Sequence, residues 1–76
     1  MTETKFLAAL GGRIRKLRTK KGLSLSELAY RCDFEKASLS RIELGKTNTT
    51  VLTLRKISKA LDIHITELFE SSNGNA

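Results

Sequence analysis

The stretch from Leu23 to Gly45, LSLSELAYRCDFEKASLSRIELG, narrows the folds open to this chain more than any other. Ser24-Leu25-Ser26-Glu27 has the form S-x-x-E just ahead of Leu28 and Ala29. The serine hydroxyl can accept from the amide of the third helical residue while the glutamate reaches back to the serine amide, which starts a helix there. That helix is predicted from Leu25 to Arg31 or Cys32. Asp33 then stands at a turn where a left-handed residue would reverse the chain. Another helix is expected over Lys36–Leu44, stopping at Gly45. Within it Leu39 and Ile42 share the buried side, while Lys36, Ala37, Ser40, Arg41 and Leu44 fall on the opposite one. This outward stripe is short and mostly able to hydrogen-bond, as a helix needs if its outside is to enter the DNA major groove.

Helical spacing continues on both sides of this stretch. From Thr4 to Lys21, Phe6, Leu10, Ile14 and Leu17 make one apolar stripe. Gly11 and Gly12 interrupt it at about 1 kcal/mol each relative to alanine, yet the stripe keeps its phase, so one helix is expected. Glu3 near its start and Lys20 and Lys21 near its end suit the helix dipole, and Gly22 is its stop. Lys46 to Thr50 is a polar connector, with Thr50 as the N-cap of a helix carrying Val51, Leu54, Ile57 and Leu61. Asp62-Ile63-His64 breaks the pattern, and Ile65 to Glu70 forms a last helix with Leu68 and Phe69 for packing. His64 is expected to cap that helix or to sit in solvent. The expectation is an all-α domain over residues 1–70, followed by a disordered tail over 71–76 rich in Ser, Asn and Gly.

Size and charge narrow the function. At 76 residues a single domain buries only about 60% of its unfolded surface, so a partner subunit would help it. Aromatic content of 5% with no Trp and no Pro suits a helical domain better than a sandwich or barrel. Fourteen Lys and Arg against eight Asp and Glu leave a net charge of +6, with a pI near 9.9, in the range of nucleic-acid-binding domains. No apolar run approaches a spanning segment and no signal peptide is evident, so a membrane partner is not expected. Cys32 is the single cysteine, which rules out an internal disulfide or a CxxC metal site and fits a reducing cytoplasm. One His, no acidic pair at metal-ligand spacing and no Gly-rich phosphate loop argue against an enzyme, a metal or a cofactor.

The segments RIRKLRTKKGLS, ELA, LSRIELGK, LRKISKALDI and TELF, all within residues 12–69, resemble the Xre/phage-repressor (Cro-like) helix-turn-helix family of prokaryotic DNA-binding regulators. The resemblance implies a compact five-helix domain whose third helix enters the major groove. Carried over by position, it implies base contacts from Lys36, Ala37, Ser38, Ser40 and Arg41. It implies phosphate contacts from Ser24, Lys46, Thr47, Asn48 and Thr50, and a partly buried ion pair between Arg18 and Glu43. Arg41 is the strongest candidate, because a guanidinium can donate two bonds to the acceptors on guanine's groove edge. Arg13, Arg15, Lys16, Lys20 and Lys21 would raise the general potential.

Four positions depart from the family pattern. Leu25 stands where Gln is usual, Asp33 where the turn Gly is usual, and Glu35 where Ser or Thr usually caps the third helix. Leu44 ends the outward stripe with an apolar group. The implied function is a homodimeric, sequence-specific binder of double-stranded DNA, a repressor-type transcription regulator reading a palindrome in the cytoplasm, at the nucleoid. The implied dimer surface uses Ile63, Ile65, Leu68 and Phe69. The alternative is an antitoxin-like protein-interaction module, with a toxin as partner and DNA binding secondary.

Overall fold

A computed structural model describes residues 2–70 of the chain. The expected tail, 71–76, lies outside the described residues. Four helices follow in order, α1 (Glu3–Lys20), α2 (Leu25–Cys32), α3 (Lys36–Glu43) and α4 (Val51–Leu61). The predicted fifth helix is instead a short 3-10 turn, Ile65–Phe69. A segment of five residues is too short to close a regular α-helical ladder, and tighter i to i+3 bonding serves it better.

The starts of α1, α2 and α4 are each set by a local hydrogen bond to the N-cap side chain, of Thr2, Ser24 and Thr50 respectively. The Ser24 hydroxyl accepts from the Glu27 amide at 3.0 Å, and the Glu27 carboxylate accepts from the Ser24 amide at 2.8 Å. Thr50 caps α4 by accepting from the Thr53 amide at 3.2 Å. At α3 the N-cap residue Glu35 makes no side-chain capping bond, so its carboxylate acts on that helix only through the dipole.

The stops share one device. Beyond α1, α2, α3 and α4 the chain passes through a left-handed residue, respectively Gly22, Asp33, Gly45 and Asp62. At the α2–α3 turn Asp33 has φ 58°, and the next amide, of Phe34, donates back to the Ala29 carbonyl at 2.9 Å. That bond closes the last turn of α2 and aims the chain into α3.

Leu10, Ile14, Leu17, Leu28, Ala29, Cys32, Leu39, Ile42, Leu54, Ile57, Leu61 and Leu68 make one core, in which each large side chain contributes about 1.5–3 kcal/mol of burial. Two expected members stay outside it. Phe6 is half-exposed and Val51 is largely exposed, because each lies in the first turns of its helix, beyond the reach of the crossing helices. Periodicity gives the phase of a stripe and not where the facing partner ends. Burial pushes the Cys32 thiol above its ordinary pKa, so it packs as a small hydrophobe and is a poor nucleophile.

Candidate nucleic-acid interface

The face of α3 divides cleanly. Leu39, Ile42 and Glu43 are buried, whereas Lys36, Ala37, Ser38, Arg41 and Leu44 are exposed and Ser40 is half-buried. The helix is short, and its back is held by three separate devices. Leu39 and Ile42 enter the core. Arg18 meets Glu43 in a two-pronged ion pair, Nε to Oε2 at 2.7 Å and Nη2 to Oε1 at 3.0 Å. Backbone contact with α1 supplies the third.

The ion pair is buried on both sides, with Arg18 9% and Glu43 8% exposed. Arg18 spends a further donor on the Leu23 carbonyl at 2.9 Å, which ties the α1–α2 connection to the same node. The bond to Glu43 raises the Arg18 pKa, burial opposes that rise, and the charge of Glu43 adds to it. The guanidinium therefore stays charged while desolvated, and its fork is satisfied.

The third device involves glycines. A Cβ on Gly11 would lie 2.5 Å from the Glu43 carbonyl oxygen and closer still to that of Ile42. A Cβ on Gly45 would lie 2.5 Å from the Ala8 Cα, and Gly45 also has φ 74°. Gly12 has open space around it. The adjacent glycines of α1 look alike in the sequence and differ wholly in role. Sequence reasoning missed Gly11, although an unexplained Gly inside a helix was the available signal.

Beside α3, a groove of about 310 Å³ is lined by Ser38, Arg41, Ile42, Thr47, Asn48, Thr49, Thr50 and Thr53. The structure thus brings three of the expected phosphate contacts, Thr47, Asn48 and Thr50, next to two of the expected base contacts. Thr49 and Thr53 join them without having been singled out. Lys46 is exposed on the same connector. Ser24 lies apart, at the start of α2, where its hydroxyl and amide are both engaged with Glu27. Those bonds hold the Glu27 carboxyl below its ordinary pKa, the Ser24 amide contributing most. An anion at this helix start would meet the amides of Leu25 and Ser26, which the capping box leaves free. Leu25 itself is partly buried against the core, so its side chain serves packing here.

At the far end of the molecule, Arg13 donates to the Glu67 carbonyl at 3.0 Å and lies 3.6 Å from the Glu70 carboxylate. It therefore fastens the 3-10 turn and is not a free surface charge. Arg15, Lys16, Lys20 and Lys21 are exposed. His64 is exposed, and its amide donates to Glu67 at 3.1 Å. The proposed dimer surface needs a correction. Leu68 is 1% exposed in the single chain and is committed to the core, because the 3-10 turn places it inward between α1 and α4. Ile63 and Ile65 are half-buried and Phe69 is 52% exposed. Among the described residues no group of His, Cys, Asp and Glu could hold a metal ion.

A helix-turn-helix family model matches residues 14–68. The transcriptional regulator SlrR of Bacillus subtilis is 41% identical over 63 residues, which cover 82% of this chain and 41% of SlrR. Among solved structures, the restriction-modification controller protein C.AhdI of Aeromonas hydrophila superposes with a TM-score of 0.81 at 38% identity, covering 83% of this chain and 96% of that one. The biofilm master regulator SinR, crystallised with DNA, superposes with a TM-score of 0.74 at 40% identity, covering 80% and 98%. The chain thus spans less than half the length of SlrR.

Proposed function

The chain belongs to the helix-turn-helix family, and from that premise we propose that it is a transcriptional regulator which binds double-stranded DNA sequence-specifically through α3. The observation that carries the reading is the outward stripe of α3, whose Lys36, Ala37, Ser38 and Arg41 stand free in front of a fully anchored back. Arg41 forks onto guanine, Ala37 offers its methyl to thymine, and Lys36, Ser38 and the half-buried Ser40 complete the reading edge. The groove beside α3, with Lys46, Thr47, Asn48 and Thr50, takes the adjoining phosphates and fixes register without reading sequence. Leu25 and Ser26 amides, at the cap made by Ser24, take a phosphate on the other side. A net charge of +6 supplies the long-range attraction.

One recognition helix reads few base pairs, so the regulator acts as a homodimer on a palindrome, with half-sites about 34 Å apart. Ile63, Ile65 and Phe69 form the surface available for pairing, without Leu68. The structure of SinR in complex with DNA supports the DNA-binding part of this reading. The antitoxin-like alternative gains no support from these relatives. A regulator of this kind is a binder without catalytic chemistry and acts at the nucleoid. Among the described residues no helix is long and apolar enough to cross a membrane.

Selection from a random-sequence duplex pool, followed by titrations at two salt concentrations, tests the proposal. Arg41→Ala is expected to flatten sequence preference by about 1–3 kcal/mol. Lys46→Ala weakens all sequences alike and makes the salt slope shallower by about one. A preference untouched by Arg41→Ala would show that α3 does not read bases in this frame.

A further inference from the structure

Resting on the DNA reading above, the geometry points to Gly11 as a positioning residue for base recognition: it sets how far α3 stands from α1, and so where Arg41 and Lys36 are presented.

The last turn of α3 is fixed to α1 at several points. The Ile42 and Glu43 carbonyls press on Gly11, the Glu43 side chain is forked by Arg18, and Gly45 sits on the backbone of Leu7 and Ala8. Gly11, Ile14 and Arg18 occupy one face of α1 at spacings of three and four. The contact is backbone against backbone, so no rotamer change can relieve an added methyl. Ordinary contact begins at 3.4 Å against the 2.5 Å found at the Glu43 oxygen, so α3 must withdraw by roughly 1 Å to admit a Cβ. Functional constellations need placement within about 0.5 Å, and a forked arginine–guanine contact cannot follow such a shift. Phosphate attraction falls off gently with distance and largely survives it. Gly11 touches no DNA in this arrangement, and its effect on reading passes entirely through the seat of α3.

Gly12 supplies the internal control. It is the same residue in the same helix, but a Cβ there meets nothing within 4 Å. The full chain is compared as wild type, Gly12→Ala and Gly11→Ala, each at a temperature where circular dichroism shows it folded. The affinity ratio between the pool-selected duplex and a scrambled duplex is measured at two salt concentrations. Gly12→Ala is expected to keep the wild-type ratio. Gly11→Ala is expected to lose about tenfold of it, while its binding to scrambled duplex and its salt slope stay unchanged. A folded Gly11→Ala with an undiminished ratio overturns the inference. If Gly11→Ala does not fold, Gly45→Asn is read in the same way, since Asn tolerates the left-handed backbone and its Cβ meets Ala8. Failure of both to fold, even in the cold, also overturns it, because the seat would then be a condition of folding and not a setting of the reading head. A wild-type chain that selects no sequence overturns the DNA reading itself, and this inference with it.

Discussion

The last turn of α3 and the 3-10 turn both rest against α1, yet they are held by different means. α3 is seated by backbone contact at Gly11 and Gly45 and by an ion pair withdrawn from water. The 3-10 turn is held by Leu68 in the core, one side-chain bond from Arg13, and a surface pair at 3.6 Å whose Glu70 side chain is 59% exposed. Carbonyl against Cα admits no small adjustment, whereas a pair with a solvent-exposed carboxylate tolerates several geometries. The difference follows what each region has to do under the proposed function. A reading helix must return to one position. A corner offering Ile63, Ile65 and Phe69 can adapt to a partner.

The largest effect that would break this contrast is expected at Glu43. Glu43→Ala strands the buried Arg18 charge and should cost about 3–5 kcal/mol, seen as a large drop in the thermal melt of the DNA-free chain. An unchanged melt would mean that the pair contributes nothing to seating α3. Replacing both partners by apolar residues of similar volume should recover most of that loss, because no unpaired charge remains.

Next comes the corner itself, where neighbouring residues should part company. Leu68→Ala removes a fully buried side chain, at a cost of about 2–5 kcal/mol. Phe69→Ser should change monomer stability by no more than about 0.5 kcal/mol while weakening self-association in sedimentation. Equal losses of stability from the two would place Phe69 in the core and remove the proposed pairing surface. A comparably small effect is expected at Glu70. Glu70→Gln breaks only the surface pair and should shift stability by about 0–1 kcal/mol, less at high salt.

Much of this arrangement could be read before any coordinates. The capping box at Ser24 and Glu27 fixes the start of α2 through bonds between residues three apart, and such signals survive any tertiary setting. Thr50 acts likewise for α4, and Asp33 adopts the left-handed turn that the pattern requires. Leu39 and Ile42 define the back of α3, and hence its front, by spacing alone. The less legible features depend on partners distant in the chain. Phe6 and Val51 keep the right phase but lie past the ends of the facing helices. Leu68 reads equally well as core or as interface, since an apolar side chain suits both.

By itself the sequence determined the first four helices, the caps of α2 and α4, the turn at Asp33 and which side of α3 faces out, because these rest on hydrogen bonds and periodicities spanning a few residues. Only the tertiary structure decided that Gly11 and Gly12 are not equivalent and that Leu68 belongs inside. It alone also showed how the side chains of Arg18 and Glu43, 25 residues apart, meet out of water. Those outcomes depend on how closely two helices approach, and that distance is set by the whole packed core at once.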